Sequence, residues 1–224
     1  MQYGYTSFWA SKEKDKHKGS GVGVLVNNQW LKHVGRVVRF SPYLLKIEFF
    51  FKKAVIQVWV IYLPSADKKA NKEAQRTIIR EICKNKINTY PCVIGDFNAL
   101  GNTNLDTNNK NRKDQGLGKT LLTWLKNRDL IDSFRYLNPY KKEYTWQKEG
   151  SASRIDYIWV GEEMQTLLME TSITDINVVT GSDHKLIWAR LETNKILKYE
   201  KLRKKEGKKP TRRVFLYYKA SEEN

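Results

Sequence analysis

Apolar and polar positions along the chain change period several times. Leu45, Ile47, Phe49 and Phe51 alternate with Lys46, Glu48 and Phe50. That period of two predicts a strand with one buried face. Residues 54–63 are almost continuously apolar, as expected of a strand covered on both faces. Lys52 and Lys53 between the two runs predict a tight turn, and so a hairpin. Short apolar runs at 21–26, 36–40 and 92–94 read as further strands, as do 144–146, 154–160, 172–179 and 186–191. Two stretches carry helical spacing instead. Over 67–88, Ala74, Ile78 and Ile82 form one stripe with Ile79 and Cys83 beside it. From about Asp114, Leu117, Leu121, Trp124 and Leu125 recur at helical intervals. Residues 11–20 and the Asn-rich stretch 101–113 read as loops. Strands and helices mix without strict alternation, which predicts an α/β domain of mixed β-sheets packed in layers rather than a doubly wound parallel sheet.

Composition narrows the class. Of 224 residues, 40% are hydrophobic and 12% aromatic, which is a globular balance and not a disordered one. No run approaches the roughly 18 apolar residues of a membrane span, and the first ten residues hold no apolar signal core. Two cysteines, Cys83 and Cys92, are too few for a disulfide scaffold and fit an intracellular setting. The formal net charge of +17 favours a polyanionic partner. The charge is uneven: residues 195–213 hold ten basic residues, Lys204 and Lys205 among them, against Glu200 and Glu206. The remainder is still strongly positive. A domain over 1–192 followed by a basic tail over 193–224 accounts for this division, with Lys204 and Lys205 as nucleic-acid contacts. No protein partner can be inferred.

Three short stretches combine residues suited to phosphodiester hydrolysis, which needs an oriented water, positive charge on the phosphate oxygens and help for the leaving oxygen. In Gly95-Asp96-Phe97-Asn98, a buried strand delivers Asp96 and Asn98 two residues apart, and Gly95 permits close backbone approach. Asp96 suits orientation of water, and Asn98 suits donation to a phosphate oxygen. In Arg154-Ile155-Asp156-Tyr157, strand alternation sets Arg154 and Asp156 on one face. In Ser182-Asp183-His184, a histidine stands in a loop between two strands, where acid–base or phosphate-binding work is common. Because Asp183 and His184 point differently, the carboxylate that orients His184 is expected to be Asp156. Each stretch alone is an ordinary turn, ion pair or loop histidine.

Together, in this order and spacing, they resemble the endonuclease/exonuclease/phosphatase superfamily, the fold shared by DNase I and the abasic-site endonucleases of the exonuclease III type. Ser20-Gly21-Val22-Gly23-Val24, Val60-Ile61-Tyr62-Leu63-Pro64 and Tyr144-Thr145-Trp146 are similar to further stretches of that superfamily. The resemblance runs from about Phe8 to Leu191. Within it the chain is most similar to endonuclease domains of non-LTR retrotransposons. Pro210-Thr211-Arg212-Arg213-Val214-Phe215 resembles the connector leading toward a reverse transcriptase.

The resemblance implies a DNase I-like sandwich flanked by helices and a DNA-nicking, Mg²⁺- or Mn²⁺-dependent hydrolase, with the nucleus as its place of work. It implies catalytic roles for Asp96, Asn98, Asp156, His184 and Tyr62, metal contacts from Asp183 and Asp96, and substrate contacts near Arg154 and Asn98. It also implies a departure. The superfamily's first two strands and a helix, with a metal-site Asn and the principal metal-ligand Glu, have no counterpart here, and Glu13 in its charged loop is a poor substitute. The expectation is an N-terminally truncated copy with unpaired sheet edges, weak metal binding and impaired turnover. Two alternatives stand beside the nuclease: a non-catalytic nucleic-acid-binding remnant, and a relative acting on RNA or small phosphoesters.

Overall fold

The computed structural model describes residues 4–11, 21–52, 54–84, 88–109, 111 and 114–192. Lys204, Lys205 and the rest of the tail lie outside the described residues.

Two antiparallel strands, β1 (Tyr5–Ser11) and β2 (Gly21–Asn27), come first. A 3₁₀ turn over Asn28–His33 leads to β3 (Val34–Ser41), β4 (Leu44–Phe50) and β5 (Val55–Tyr62). Helix α1 (Lys68–Ile82) then crosses to β6 (Thr89–Asp96). After a long loop come α2 (Lys119–Lys126), β7 (Leu130–Asp132), α3 (Ser133–Leu137) and the hairpin of β8 (Trp146–Lys148) and β9 (Ser151–Ser153). The order ends with β10 (Asp156–Gly161), a 3₁₀ turn over Glu162–Leu167, β11 (Leu168–Thr174), the single turn α4 (Asn177–Thr180) and β12 (Leu186–Leu191).

Six strands form one sheet in the order β3-β4-β5-β6-β10-β7. Only the β5–β6 pair is parallel, with α1 as its crossover, so the sheet is mixed, as expected. Residues alternate across it. Trp59 and Ile61 face the helices, where Ile78 and Ile82 of α1 and Leu121 and Leu125 of α2 complete the main core. Each such aliphatic side chain contributes about 1.5–3 kcal/mol by burial. Asp67 caps α1, its carboxylate accepting from the Ala70 N–H at 2.9 Å.

Val58, Val60 and Tyr62 turn to the opposite face, which carries two hairpins. Ala10 and Val22 of β1–β2 pack on Leu45. Ile187, Ala189 and Leu191 of β12 pack with Ile158 and Val160 of β10. Strand β2 lies over β5 and β12 over β10. Among the described residues each of these inner strands pairs only within its own hairpin, and Val58, Val60 and Ile94 between them stay half-buried. Among the described residues the outer layer is two hairpins rather than a continuous sheet.

Several sequence expectations shift. Strand β6 begins at Thr89 and includes Pro91, which lies one residue beyond the stretch that β10 pairs with, so the missing N–H costs no bond on that side. The helix expected from Asp114 starts at Lys119. Asp114 instead accepts from the Gly116 N–H at 2.9 Å and closes a turn. Residues 172–179 are not one strand. Asp175 accepts from the Asn177 N–H at 2.9 Å and turns the chain into α4.

Candidate functional site

Two strand ends build the site. Asp96 closes β6 and Asp156 opens β10, and the antiparallel register sets them directly opposite each other. Tyr62, at the end of β5, stands opposite Asp96 on its other side. All three lie on the hairpin face, where the stripe between β2 and β12 ends. Close approach of β5 and β6 depends on Gly95, which has φ +137° and would place a Cβ 2.0 Å from the Ile61 carbonyl oxygen.

Asn98 joins Asp96 through a turn, not through strand alternation. Its φ is +45°, a left-handed conformation that Asn tolerates better than most residues. The Asn98 N–H donates to Asp96 Oδ1 at 2.7 Å, and Nδ2 donates both to Asp96 Oδ2 and to the Leu63 carbonyl at 2.9 Å. Both Nδ2 hydrogens are therefore engaged, and Oδ1 is the part of the amide left for a ligand. The expected donation from Asn98 to a phosphate oxygen does not fit this geometry.

His184 arrives from the connection between α4 and β12. The Lys185 N–H donates to the Thr145 carbonyl at 2.6 Å and the Gln147 N–H to the Asp183 carbonyl at 3.0 Å. This stitches the segment to β8. The His184 N–H donates to Ser182 Oγ at 3.0 Å. His184 Nδ1 lies 3.0 Å from Asp156 Oδ2, so the partner is Asp156 and not the neighbouring Asp183. Asp183 accepts instead from Trp146 Nε1 at 3.0 Å and stands outside the cluster. Sequence reasoning missed Thr145, whose hydroxyl oxygen accepts from the N–H groups of Ile155 and Asp156 at 3.0 and 3.1 Å. No spacing rule announces such a contact.

Asp96, Asp156 and His184 offer ligand atoms within 4.8 Å of one another, so these three could hold a metal ion. Electrostatics mark the same place. Burial and then the facing Asp156 carboxylate push the Asp96 carboxyl up to about 7, against the donors of Asn98 and nearby His184. The hydrogen bond to Asp156 raises His184, against the effect of burial. Tyr62 is raised by burial, then by Asp96 and Tyr43.

Arg154 is not beside the reacting groups. It is 1% exposed. Its Nε and Nη2 reach the two Asp106 oxygens at 2.9 and 3.1 Å, and Nη1 and Nη2 reach Asp132 at 3.1 and 2.7 Å. The guanidinium also lies 4.4 Å from the Tyr157 ring centroid. Burial opposes its charge, and the two carboxylates more than offset that. The expected substrate contact is thus corrected to a buried ionic brace. The shared face with Asp156 fails because β10 begins only at Asp156.

A mixed central sheet, helices on one face, hairpins on the other and an aspartate–histidine cluster at the strand ends define the DNase I-like, endonuclease/exonuclease/phosphatase class. Residues 56–188 match the model of the endonuclease–reverse transcriptase family, and the chain belongs to that family. Similar solved structures include an AP endonuclease from Archaeoglobus fulgidus, with 12% identity, a TM-score of 0.68, and 84% of this chain and 80% of that one covered. A 3′-5′ exonuclease from Neisseria meningitidis gives 15%, 0.64, 84% and 80%. A 3′ phosphatase from Neisseria bound to a product DNA hairpin gives 16%, 0.63, 84% and 79%. At these identities the likeness is one of fold. No curated protein matches the chain by sequence. Among the described residues, no helix is long and apolar enough to cross a membrane.

Proposed function

We propose that this chain hydrolyses phosphodiester bonds of nucleic acid, nicking DNA in the nucleus with Mg²⁺ or Mn²⁺. The observation that carries this reading is the Asp156–His184 pair set against Asp96 across one strand register. Family membership and the +17 charge support it, since Lys and Arg contacts to phosphate dominate nucleic-acid affinity.

Two facing carboxylates, one of them raised to about 7 first by burial and then by the other's charge, are a fitting donor set for a hard divalent cation. Asp96 and Asp156 would hold the ion, and it would supply Lewis-acid charge to the phosphoryl oxygens. Asp183 is one residue from His184 and would act only from the edge of that region. Asp96 accepts the proton of the attacking water, or orients that water, through its ionised carboxylate. Asn98 fixes both oxygens of Asp96 and offers Oδ1 to the same water. His184, whose protonated form the Asp156 hydrogen bond favours, would when charged donate through Nε2 to a phosphoryl oxygen as a charge-assisted hydrogen bond. The Tyr62 hydroxyl reaches the phosphate from β5.

Supercoiled plasmid tests the reading. Relaxation that needs Mg²⁺, stops in EDTA and falls with His184→Ala is expected. Nicking unchanged by His184→Ala would overturn the site. A second reading, a binding remnant, is favoured by one observation: only three ligand groups converge among the described residues. Plasmid binding without nicking would select it.

A further inference from the structure

Away from the aspartate–histidine cluster, a cavity of about 430 Å³ opens at the β7 edge of the sheet. That volume falls within the range that small-molecule sites occupy. None of Asp96, Asp156 and His184 lines it. Strands β7 and β10 form one wall, where Asp132 and Trp159 stand opposite each other. Helix α3 brings Arg135 to another.

The charges here differ from those of the chain at large. Arg154 and Arg135 both bind Asp106, and Arg154 also binds Asp132. Two cations and two carboxylates thus leave the floor neutral. At the rim stand Asp129, Glu162 and Lys126, all three exposed. The Glu162 N–H donates to the Asp129 carbonyl at 2.8 Å, which sets the two acids side by side. In a chain of net charge +17, this mouth carries one more carboxylate than cation and offers a phosphate no net attraction.

Inside, the cavity wall is a donor. Trp159 is 6% exposed. Arg135 Nη1 donates to the carbonyls of Asn138, Pro139 and Lys141, and Nη2 to Asp106. Yet Trp159 Nε1 and Arg135 Nε are both closed to solvent and find no acceptor among the described residues. Buried donors of this kind are uncommon, because each keeps the full cost of leaving water. An oxygen acceptor that reaches either atom removes that cost. The rim is the reverse, since ionised Asp129 and Glu162 can only accept. Glu162 lies three residues beyond Trp159, about 10 Å along an extended strand.

We infer that this cavity binds an uncharged, carbonyl-bearing polyol of nucleoside size, its carbonyl turned to Trp159 and its hydroxyls to Asp129 and Glu162. A carboxylate that accepts from a ribose hydroxyl is a recurrent way of holding such a molecule. The inference is independent of the nuclease reading, because it uses no residue to which that reading gives a role.

Calorimetric titration of the full chain with uridine in EDTA tests it. Uridine carries ring carbonyls, a ribose diol and no charge. Saturable binding at millimolar concentration or below is expected. Adenosine, which has no carbonyl, and uridine monophosphate, which is an anion, are each expected to bind more weakly. Trp159→Phe removes the donor and keeps an aromatic ring. It should weaken uridine binding about three- to tenfold, the contribution of one neutral hydrogen bond. The doubly substituted Asp129→Asn, Glu162→Gln protein should lose a similar factor. Both positions are exposed, and asparagine tolerates the φ of +58° at 129, so this second variant tests the site even if Trp159→Phe disturbs the fold. Unchanged uridine affinity in His184→Ala is expected as well. Absence of uridine binding would overturn the inference, as would affinity unchanged in the rim variant. Equal affinity for adenosine would overturn the carbonyl contact. Tighter binding of uridine monophosphate would overturn it in favour of an anion site. Loss of uridine binding in His184→Ala would overturn it by moving the ligand to the aspartate–histidine cluster.

Discussion

Asp156 Oδ2 sits 3.0 Å from His184 Nδ1, and the same Asp156 faces Asp96 across the β6–β10 register. One carboxylate therefore stabilises positive charge on the histidine and opposes negative charge on the other aspartate. In metal-free protein, His184 is expected to titrate above its ordinary 6.5, and Asp156→Asn should bring it back down. The sign is that of a raised base: this stabilisation is fully present below pH 6.5 and is lost as pH climbs through the raised value. Imidazole NMR titration reads the shift directly. His184→Ala should lower nicking by about 10²–10⁴-fold. A His184 midpoint that does not move in Asp156→Asn would refute the pairing.

Asp96 also has a raised folded-state value, so its linkage has the same sign, although here the rise marks a penalty on the charged form and not a gain for it. Its carboxyl moves from 3.8 to about 7 through burial and the facing Asp156. The folded state thus retains a proton that the unfolded chain has already lost, and the metal-free protein loses stability as pH rises between those values. Asp96→Asn removes the charge while keeping an oxygen for the Asn98 N–H. It should melt higher than native protein at pH 8 in EDTA and about equally at pH 4. A divalent ion needs the ionised carboxylate, so apparent Mg²⁺ affinity in native protein should climb as pH rises through about 7. Calorimetry in two buffers of different ionisation heat counts the proton released.

Arg154→Ala leaves Asp106 and Asp132 facing each other without their shared cation, although Arg135 still contacts Asp106 at 2.6 Å. Breaking a buried pair in this way costs about 3–5 kcal/mol. Urea unfolding should show that loss as a lower midpoint. Duplex affinity of the folded variant should equal that of native protein, because the guanidinium does not reach the surface. A folded Arg154→Ala protein with weakened DNA binding would reinstate Arg154 as a substrate contact.

What the sequence makes legible follows from local periodicity. Asp96, Asp156 and His184 each stand where a strand meets polar residues, but each stretch alone is ordinary, and it is their order and spacing together, with the family resemblance they carry, that single them out. The apolar run of residues 54–63 equally announces β5 as a strand covered on both faces, but not which face Trp59 or Val60 takes. Arg154 shows the limit. Counting alternation back from Tyr157 sets it beside Asp156, but the Thr145 hydroxyl takes the N–H groups at 155 and 156 and the ladder starts later. Asp106 has no signal at all, being one polar residue in an Asn-rich loop whose partner lies 48 positions away. Val178 and Val179 mislead for a related reason. Their β-branched character suggests a strand, and the side chain of Asp175 decides otherwise.

Thr145 offers a way to disturb the site without touching a reacting group. Its side chain is fully buried, its hydroxyl oxygen holds the backbone of Asp156, and its carbonyl holds the residue after His184. Thr145→Val keeps the shape and removes the acceptor, leaving two N–H groups unpaired at about 1–3 kcal/mol each. Thr145→Ser keeps the acceptor and loses one methyl, at roughly 1 kcal/mol. The valine protein should therefore be the less stable of the two by chemical unfolding, and its His184 midpoint should fall toward 6.5 as Asp156 drifts. The serine protein should keep the raised midpoint. Because both variants disturb packing at the same position, a purely structural role predicts equal His184 titration in the two. Equal midpoints would show that Thr145 supports the fold without positioning Asp156.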